Sequence, residues 1–543
     1  MRKAIIIPGG ILLIISVFAK QLGIDNDEGW GTGRVIILLV GVAVSLTGIL
    51  AIYHPYEFSK FVDFVSSTKH VLAAVMTVTV MYVWLAQLNL KYTRKDYNYY
   101  GELASSFKRG HLYLAEEPSH ALLSLKNPYD YNLRLAAKVE DFPWDVSLYD
   151  QKFYLYWGPS PSLILSALRN DLIPYIGDRH LVAVFAWGLF IYATLIVVMF
   201  YERSLPNAPS WLTGLSILTL GLAAPATIML QESRVYQAAV FGCQFFFIGG
   251  CYWIYSAIGN DKLSGGKLVI AGLHWALALG TRITIAPVIL WSAGVTLIYV
   301  FLTNKVASRE LFFPAAAIGI PLLAALAGLG WYNWARFDSV FETGLKYQLT
   351  GTNYLTFKDL FSGRYIGMNF YNYFIHPLLI RPRFPYLFRI EYPFTSERLG
   401  GLIFITPYIL LAFLPIMSRV RYFRSHGDEF NISKIRSNPE YWLLTTFAGS
   451  AIIGLVTVVA FWWTEMRYLE DFMPSLLLFT IVGIGMEYRS LQNNFKGQKL
   501  LAFLIVPFSI ITIIASILVA LKSDSMFFWV NLADTILKIL KFK

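Results

Sequence analysis

The chain has 543 residues, of which 56% are hydrophobic, and its mean hydropathy is +0.53. This composition is too apolar for a soluble globular domain and indicates an integral membrane protein. The formal net charge of +11 does not indicate nucleic-acid binding, because the basic residues are concentrated in the short connections on one side of the apolar runs. We therefore expect membrane lipids, and no nucleic acid, among its partners.

Apolar runs long enough to cross a bilayer, at about 20 residues each, recur along the chain. Because backbone groups in lipid must be hydrogen-bonded internally, these runs predict helices rather than open strands. We predict an all-α polytopic membrane protein with about 13 transmembrane helices (11–14) and two large outer loops that carry surface-lying helices. The predicted spans are 4–19, 35–53, 71–90, 181–200, 211–229, 235–257, 267–280, 284–303, 312–330, 401–418, 442–463, 469–487 and 500–521.

The distribution of lysine and arginine predicts the orientation of the chain. It places the N-terminus in the cytoplasm and both large loops, 91–180 and 331–400, on the extracytoplasmic side. A lysine-bearing tail at the end is typical of an interfacial helix. The predicted segments are an N-terminal pair of spans with its cytoplasmic connection (1–70), a transmembrane core with the two outer loops (71–400), a C-terminal group of spans (401–521) and the interfacial tail (522–543).

The first outer loop is rich in tyrosine, phenylalanine and tryptophan, which favour the level of the lipid headgroups. Asp96 lies a few residues beyond the span that precedes this loop, where a carboxylate meets both water and headgroups. Such a carboxylate could accept the proton of a hydroxyl or amine as a general base. Alternatively, Asp96 could cap the short helix predicted from Tyr99 to Phe107, because aspartate is a favoured N-cap residue.

Five short segments share features with one family of membrane enzymes. They are an acid followed by an aromatic helix (95–104), a lysine among aromatic residues (149–157), a glycine-rich span ending in a basic residue (271–282), and the segments 331–337 and 464–468. This set resembles the C-type glycosyltransferase superfamily, which includes protein O-mannosyltransferases and the lipid A aminoarabinose transferase. Two features depart from the family: the acid follows the third predicted span rather than the first, and Asp96 has no adjacent second acid.

The resemblance implies a multi-pass enzyme of the cell membrane with its active site on the extracytoplasmic side. It implies an inverting glycosyltransferase, which moves a hexose or pentose from a polyprenyl-phosphate donor to an extracytoplasmic glycolipid, cell-envelope glycan or protein. Asp96 would be the general base, and Tyr99 and Tyr156 would contact the substrate. No cofactor is required by such a reaction.

Three cations are candidates for binding the donor phosphate, namely Lys152, Arg282 and Arg467. Fixed cations stabilise a phosphate leaving group as its negative charge develops; the alternative is snorkelling at helix ends. Asp150 is a candidate second catalytic carboxylate. Asp145 is a candidate substrate-binding carboxylate, with a turn-forming role as its alternative. No His/Cys cluster predicts a metal site, and a divalent cation held by these carboxylates stays an alternative.

Two other functions remain open on the sequence. A transporter or lipid flippase would need ionisable residues near the midplane of the membrane and inverted repeats, and the spans contain few such residues. A polysaccharide polymerase or ligase would also have many spans and large outer loops. The arginines of the second outer loop favour that alternative; they are Arg364, Arg381, Arg383, Arg389 and Arg398.

Overall fold

The computed structural model describes most of the chain between the second predicted span and the predicted tail. Asp96 lies outside the described residues, as do Arg383, almost all of the first two predicted spans and the tail 522–543. The described residues are 11, 12, 15, 41, 42, 55–86 (55–67 as backbone only), 98–139, 141–259, 263–303, 312–382, 384–392, 397–414 and 438–521.

Seven of the described helices are long and apolar enough to cross a membrane. Each coincides with one of the predicted spans, so the mainly helical membrane architecture is confirmed, whereas the count of about 13 spans stays a prediction. The seven are Thr68–Ala86, Asp178–Ser204, Val235–Ile258, Ile283–Leu302, Phe312–Phe337, Glu440–Val459 and Phe495–Ala520.

The elements are named here in chain order. The α-helices are α1 (Pro55–Ala86), α2 (Tyr99–Lys108), α3 (His120–Leu123), α4 (Tyr131–Ala136), α5 (Ser160–Ser166), α6 (Asp178–Ser204), α7 (Ser210–Leu222), α8 (Ala226–Gln231), α9 (Val235–Ile258), α10 (Gly265–Thr281), α11 (Ala286–Leu302), α12 (Phe312–Phe337), α13 (Ile366–Phe370), α14 (Leu402–Ile405), α15 (Glu440–Val459), α16 (Met473–Ser490) and α17 (Phe495–Ala520). Short 3-10 helices cover Ile173–Tyr175, Ile283–Ile285, Leu345–Tyr347, Gly363–Tyr365, Pro407–Ala412 and Met466–Asp471, and a π-helical turn covers Tyr371–Ile375.

Two predicted spans differ from the structure in the same way. The span 211–229 is divided into α7 and α8, with the break at Ala223–Pro225. The span 401–418 begins with the four-residue helix α14 and continues as the 3-10 helix Pro407–Ala412. A proline lies at each break, and proline has no N–H with which to continue the helical hydrogen-bond ladder.

Two small antiparallel sheets accompany the helices, and neither was predicted from the sequence. The first is the hairpin of β1 (Ser147–Tyr149) and β2 (Lys152–Tyr154), in which Leu148 lies opposite Phe153. The second has the order β3-β4-β5. Its strands are β3 (Leu378–Ile380), β4 (Leu387–Tyr392) and β5 (Glu397–Leu399).

Of the seven membrane-length helices, α9 is the most buried. In an 18-residue stretch of each helix, 83% of α9 is buried, against 22% of α12. Small residues allow its neighbours to approach closely. A Cβ atom at Gly250 would lie 2.3 Å from the indole nitrogen of Trp275 on α10. The chain divides into two compact units, Met1–Ala73 and Ala74–Lys543. All residues of the candidate site described next belong to the second unit.

Candidate functional site

The start of α2 is held by two side chains. The Asn98 side chain accepts a hydrogen bond from the N–H of Gly101 at 3.1 Å and is therefore the N-cap of the helix. The carboxylate of Asp178, at the start of α6, accepts the N–H groups of Tyr99 and Tyr100 at 3.0 and 3.2 Å. The capping role that the sequence offered to Asp96 thus belongs to Asn98.

Four aromatic side chains, called here the aromatic group, connect α2 with α9. They are Tyr99, Tyr156, Trp157 and Tyr236. The ring of Trp157 lies 6.1 Å from that of Tyr99, 4.1 Å from that of Tyr156 and 5.2 Å from that of Tyr236. The Tyr99 hydroxyl also donates to the carbonyl of Trp144 at 2.9 Å. Two of the predicted substrate-binding residues, Tyr99 and Tyr156, are therefore brought together.

A close backbone contact fixes this segment against the end of α10. The N–H of Gly158 donates to the carbonyl of Thr281 at 3.2 Å. A Cβ atom at Gly158 would lie only 2.2 Å from the carbonyl oxygen of Gly280, so no larger residue fits there. Arg282 directly follows Thr281. The contact therefore brings the end of α10, which leads into Arg282, against the segment that carries Tyr156 and Trp157.

Asp145 joins the aromatic group through its carboxylate. The hydroxyl of Tyr236 donates to this carboxylate, and the N–H of Asp145 donates to the carbonyl of Leu349 at 3.0 Å. Burial raises the pKa of Asp145, and hydrogen bonds from Tyr236 and Thr350 partly oppose that rise. The residue also has a φ of 62°, which is typical of a tight turn. It therefore combines the predicted turn with a buried, hydrogen-bonded carboxylate.

Of the three predicted phosphate-binding cations, Arg467 contacts this group, and Arg282 follows the end of α10 that contacts Gly158. Arg467 forms an ion pair with Glu465, and its guanidinium lies 4.2 Å from the centre of the Tyr236 ring. Arg282 forms an ion pair with Asp471. The side chains are only 17% and 16% exposed, so they do not extend to the surface as snorkelling residues do. A guanidinium has five N–H donors, and one ion pair leaves several of them for a ligand.

Glu465 is a functional candidate that the sequence did not single out, although it lies inside the segment 464–468. Its backbone N–H donates to the Tyr373 hydroxyl at 3.2 Å. Burial raises the pKa of Glu465 to about 7, and the neighbouring Arg467 limits the rise. Glu465 is therefore a largely buried carboxylate that is paired with Arg467.

A further ion pair ties the second sheet to the bundle. Arg389 on β4 pairs with Glu232, at the break between α8 and α9, at 2.7 Å. From the sequence, Arg389 was identified only as one of the arginines of the second outer loop. The pairing joins residues 157 positions apart, and the local sequence contains no signal for it.

The aromatic group, Asp145, Arg282 and Arg467 are together called the cluster. Lys152 and Asp150 lie on the β1–β2 hairpin and are not part of it. The Lys152 ammonium lies 4.7 Å from the centre of the Tyr113 ring. Asp150 is exposed at the tip of the hairpin, with a φ of 45°. Within the described part of the chain, neither has a hydrogen bond, ion pair or ring contact with the aromatic group, Arg282 or Arg467. Their roles as catalytic and phosphate-binding residues stay predictions.

The cluster as a whole combines a buried carboxylate, two partly buried guanidinium groups and several aromatic rings. Such a set can bind a ligand that carries both a negatively charged group and hydroxyls on an apolar ring. No three His, Cys, Asp or Glu side chains among the described residues are grouped as metal ligands. The expectation that no cofactor is required stays a prediction.

Comparisons with known proteins add little to this description. No protein-family model and no curated protein matches the chain. Among solved structures, it is similar to the crystal structure of the Archaeoglobus fulgidus oligosaccharyltransferase in the apo form, with a TM-score of 0.43 and 12% identity. The similarity covers 84% of this chain and 57% of that one, so the chain spans little more than half of that protein's length. Similarity of this degree does not establish a shared fold or activity.

Proposed function

We propose that the protein is an integral membrane glycosyltransferase that moves a sugar from a polyprenyl-phosphate donor to an extracytoplasmic acceptor, with inversion. The observation that supports this proposal is the convergence of four residues chosen from the sequence. Asp145, Tyr99, Tyr156 and Arg467 come from three separate stretches of chain and contact one another through Trp157 and Tyr236.

In the proposed reaction, Asp96 takes the proton of the acceptor hydroxyl or amine, and the acceptor attacks the anomeric carbon. A bond forms between this carbon and the acceptor while the bond to the phosphate oxygen breaks. The leaving polyprenyl phosphate gains negative charge, which Arg467 and Arg282 would stabilise because both are fixed and largely shielded from water. The proton ends on Asp96.

The remaining residues would bind the sugar. The partly exposed ring of Tyr156, packed against the buried Trp157, would offer an apolar surface for the C–H groups of a pyranose or furanose ring. The Asp145 carboxylate would accept hydrogen bonds from sugar hydroxyls, beside the one that it accepts from Tyr236. Lys152 and Asp150 would contribute only if the donor reached the hairpin. Arg282 and Arg467 are therefore preferred over them as the residues that act on the donor phosphate.

The decisive experiment measures release of polyprenyl phosphate by the purified protein in lipid nanodiscs. A panel of polyprenyl-phosphate sugars serves as donors, and cell-envelope extract supplies acceptors. We expect wild type to consume one donor and Asp96→Asn to lose at least about 100-fold in rate, as removal of a general base does. Asp171→Asn is the matched control, because Asp171 is exposed and pairs only with exposed Arg169 in the described structure.

Two outcomes would contradict the proposal. If wild type consumes no donor, the transporter and polymerase alternatives become the better explanations. If Asp96→Asn releases polyprenyl phosphate as fast as wild type, Asp96 is not the general base. Product length separates transfer of one sugar from polymerisation. Of the arginines that favoured a polymerase, Arg389 and Arg364 form ion pairs with Glu232 and Asp359.

A further inference from the structure

A short helical segment of the second outer loop has an inside-out distribution of side chains. It consists of α13 and the π-helical turn that follows it, residues 366–375. Asn369 and Asn372 are completely buried. The large hydrophobic side chains around the rest of the segment are between 39% and 48% exposed, namely Ile366, Met368, Phe370, Tyr371 and Ile375. A helical segment at a protein–water surface has the opposite pattern, because its apolar side chains pack inward and its polar side chains face the solvent.

Hydrogen bonds hold this segment against the end of a membrane-length helix. The side-chain amide of Asn369 donates to the carbonyl groups of Val459 and Phe461 at 3.0 and 2.6 Å. The N–H of Ser362, shortly before the segment, donates to the carbonyl of Ala460 at 2.9 Å. Val459 is the last residue of α15, one of the seven helices long enough to cross a bilayer. The segment therefore lies at the level where the bilayer meets water.

The buried face of the segment also contacts the candidate site. The hydroxyl of Thr464 donates to the side-chain oxygen of Asn369. The hydroxyl of Tyr373 accepts from the N–H of Glu465 at 3.2 Å, and Glu465 pairs with Arg467. One side of the segment is thus packed against protein, whereas the other side presents an apolar surface.

We propose that the exposed face of residues 366–375 docks into the acyl chains of the outer leaflet, whether or not the protein transfers sugars. An exposed apolar surface of this kind is typical of a contact with protein or membrane. Continuity with the end of α15 favours the membrane, because the bilayer around that helix reaches the segment. The exposed ion pair of Arg364 with Asp359 precedes the segment and would lie among the headgroups. The apolar faces of interfacial helices enter a membrane by about 5–10 Å in this way.

Site-directed spin labelling of the full chain in lipid nanodiscs tests the docking. Both native cysteines are buried, so Phe370→Cys adds one reactive thiol. Leu323→Cys, at an exposed position of the membrane-length helix α12, is the lipid reference. Glu117→Cys, at an exposed position of the first outer loop, is the water reference. Oxygen concentrates in the hydrocarbon, which excludes water and a polar nickel chelate. We expect the ratio of oxygen to nickel collisions at Phe370 to lie closer to that at Leu323, and to be several-fold above that at Glu117.

Two results of this measurement would overturn the proposal. A ratio at Phe370 closer to that at Glu117 would place the face in water, and low accessibility to both oxygen and nickel would show that protein covers it. A second measurement needs no variant, because trypsin releases residues 365–383 of wild type as one peptide. A phospholipid with a diazirine in its acyl chain should label this peptide in nanodiscs. An unlabelled peptide, with the membrane-length helices labelled, would refute the docking even if Phe370→Cys does not fold.

Discussion

Replacement of Tyr236 by phenylalanine isolates one interaction at the centre of the candidate site. The substitution removes the hydroxyl that donates to Asp145 and keeps the ring between Trp157, at 5.2 Å, and Arg467, at 4.2 Å. Asp145 is only 9% exposed, so water does not readily replace the lost donor. The carboxylate would retain its hydrogen bond from Thr350.

The size of the effect follows from the charge and burial of the acceptor. A hydrogen bond to a charged group contributes about 1.5–3 kcal/mol, and a buried acceptor that loses its donor costs a similar amount. We therefore expect Tyr236→Phe to lower the free energy of unfolding by about 2 kcal/mol. If Asp145 also binds the sugar in the transition state, donor turnover falls by at most about 30-fold, the factor that corresponds to 2 kcal/mol.

Denaturant titration in detergent micelles, followed by circular dichroism, gives the free energies. Tyr252→Phe is the control on the same helix, because among the described residues the Tyr252 hydroxyl has no hydrogen bond. A double-mutant cycle with Asp145→Asn should give a coupling of about 1 kcal/mol or more. A loss below about 0.5 kcal/mol, or additive effects in the cycle, would show that the hydroxyl does not support the carboxylate.

Two further predictions concern the surroundings of the site. Gly158→Ala places a Cβ atom 2.2 Å from the Gly280 carbonyl oxygen and should greatly reduce the yield of folded protein on size-exclusion chromatography; Gly363→Ala, where a Cβ atom meets nothing within 4 Å, should not. Burial raises the pKa of Glu102 from 4.5 to about 7. The folded state therefore keeps a proton that the unfolded state releases, and stability falls as pH rises from 4.5 through 7. Glu102→Gln should reduce that loss of stability by up to about 3 kcal/mol in denaturant titrations. Glu117→Gln, at an exposed position, should leave the pH dependence of stability unchanged.

Hydropathy located the long helices because crossing a bilayer requires about 20 apolar residues in sequence. It did not distinguish a continuous span from a broken one. The signal was present, since Pro225 and Pro407 lie within the two predicted spans that the structure divides. The β1–β2 hairpin had no comparable signal. Its tip, Asp150–Gln151, adopts positive φ at both residues without the Asn-Gly or Asp-Gly pair that marks such turns.

Some residues of the candidate site could likewise be identified from the sequence, and others could not. Arg282 and Arg467 could be selected from the sequence because charged residues at the ends of apolar spans are few. Asp145 could be selected as a carboxylate of the aromatic first outer loop. Their partners could not be selected, since Tyr236 is an ordinary residue at the start of a span and Asp471 is one acid among many. Ion pairs such as Arg282 with Asp471, 189 residues apart, depend on the packing of whole helices.

The location of these charges follows from the cost of burying them in lipid. A charged side chain within a lipid-facing helix is expensive, whereas helix ends and breaks offer partners. Arg282 lies between α10 and α11, and Glu232 at the break before α9; each is paired with a residue from a distant segment. Packing the bundle therefore also assembles the site, and breaking either pair should reduce stability and turnover together. By contrast, Asn98 caps α2, and the general-base role proposed for Asp96 predicts a loss of turnover in Asp96→Asn.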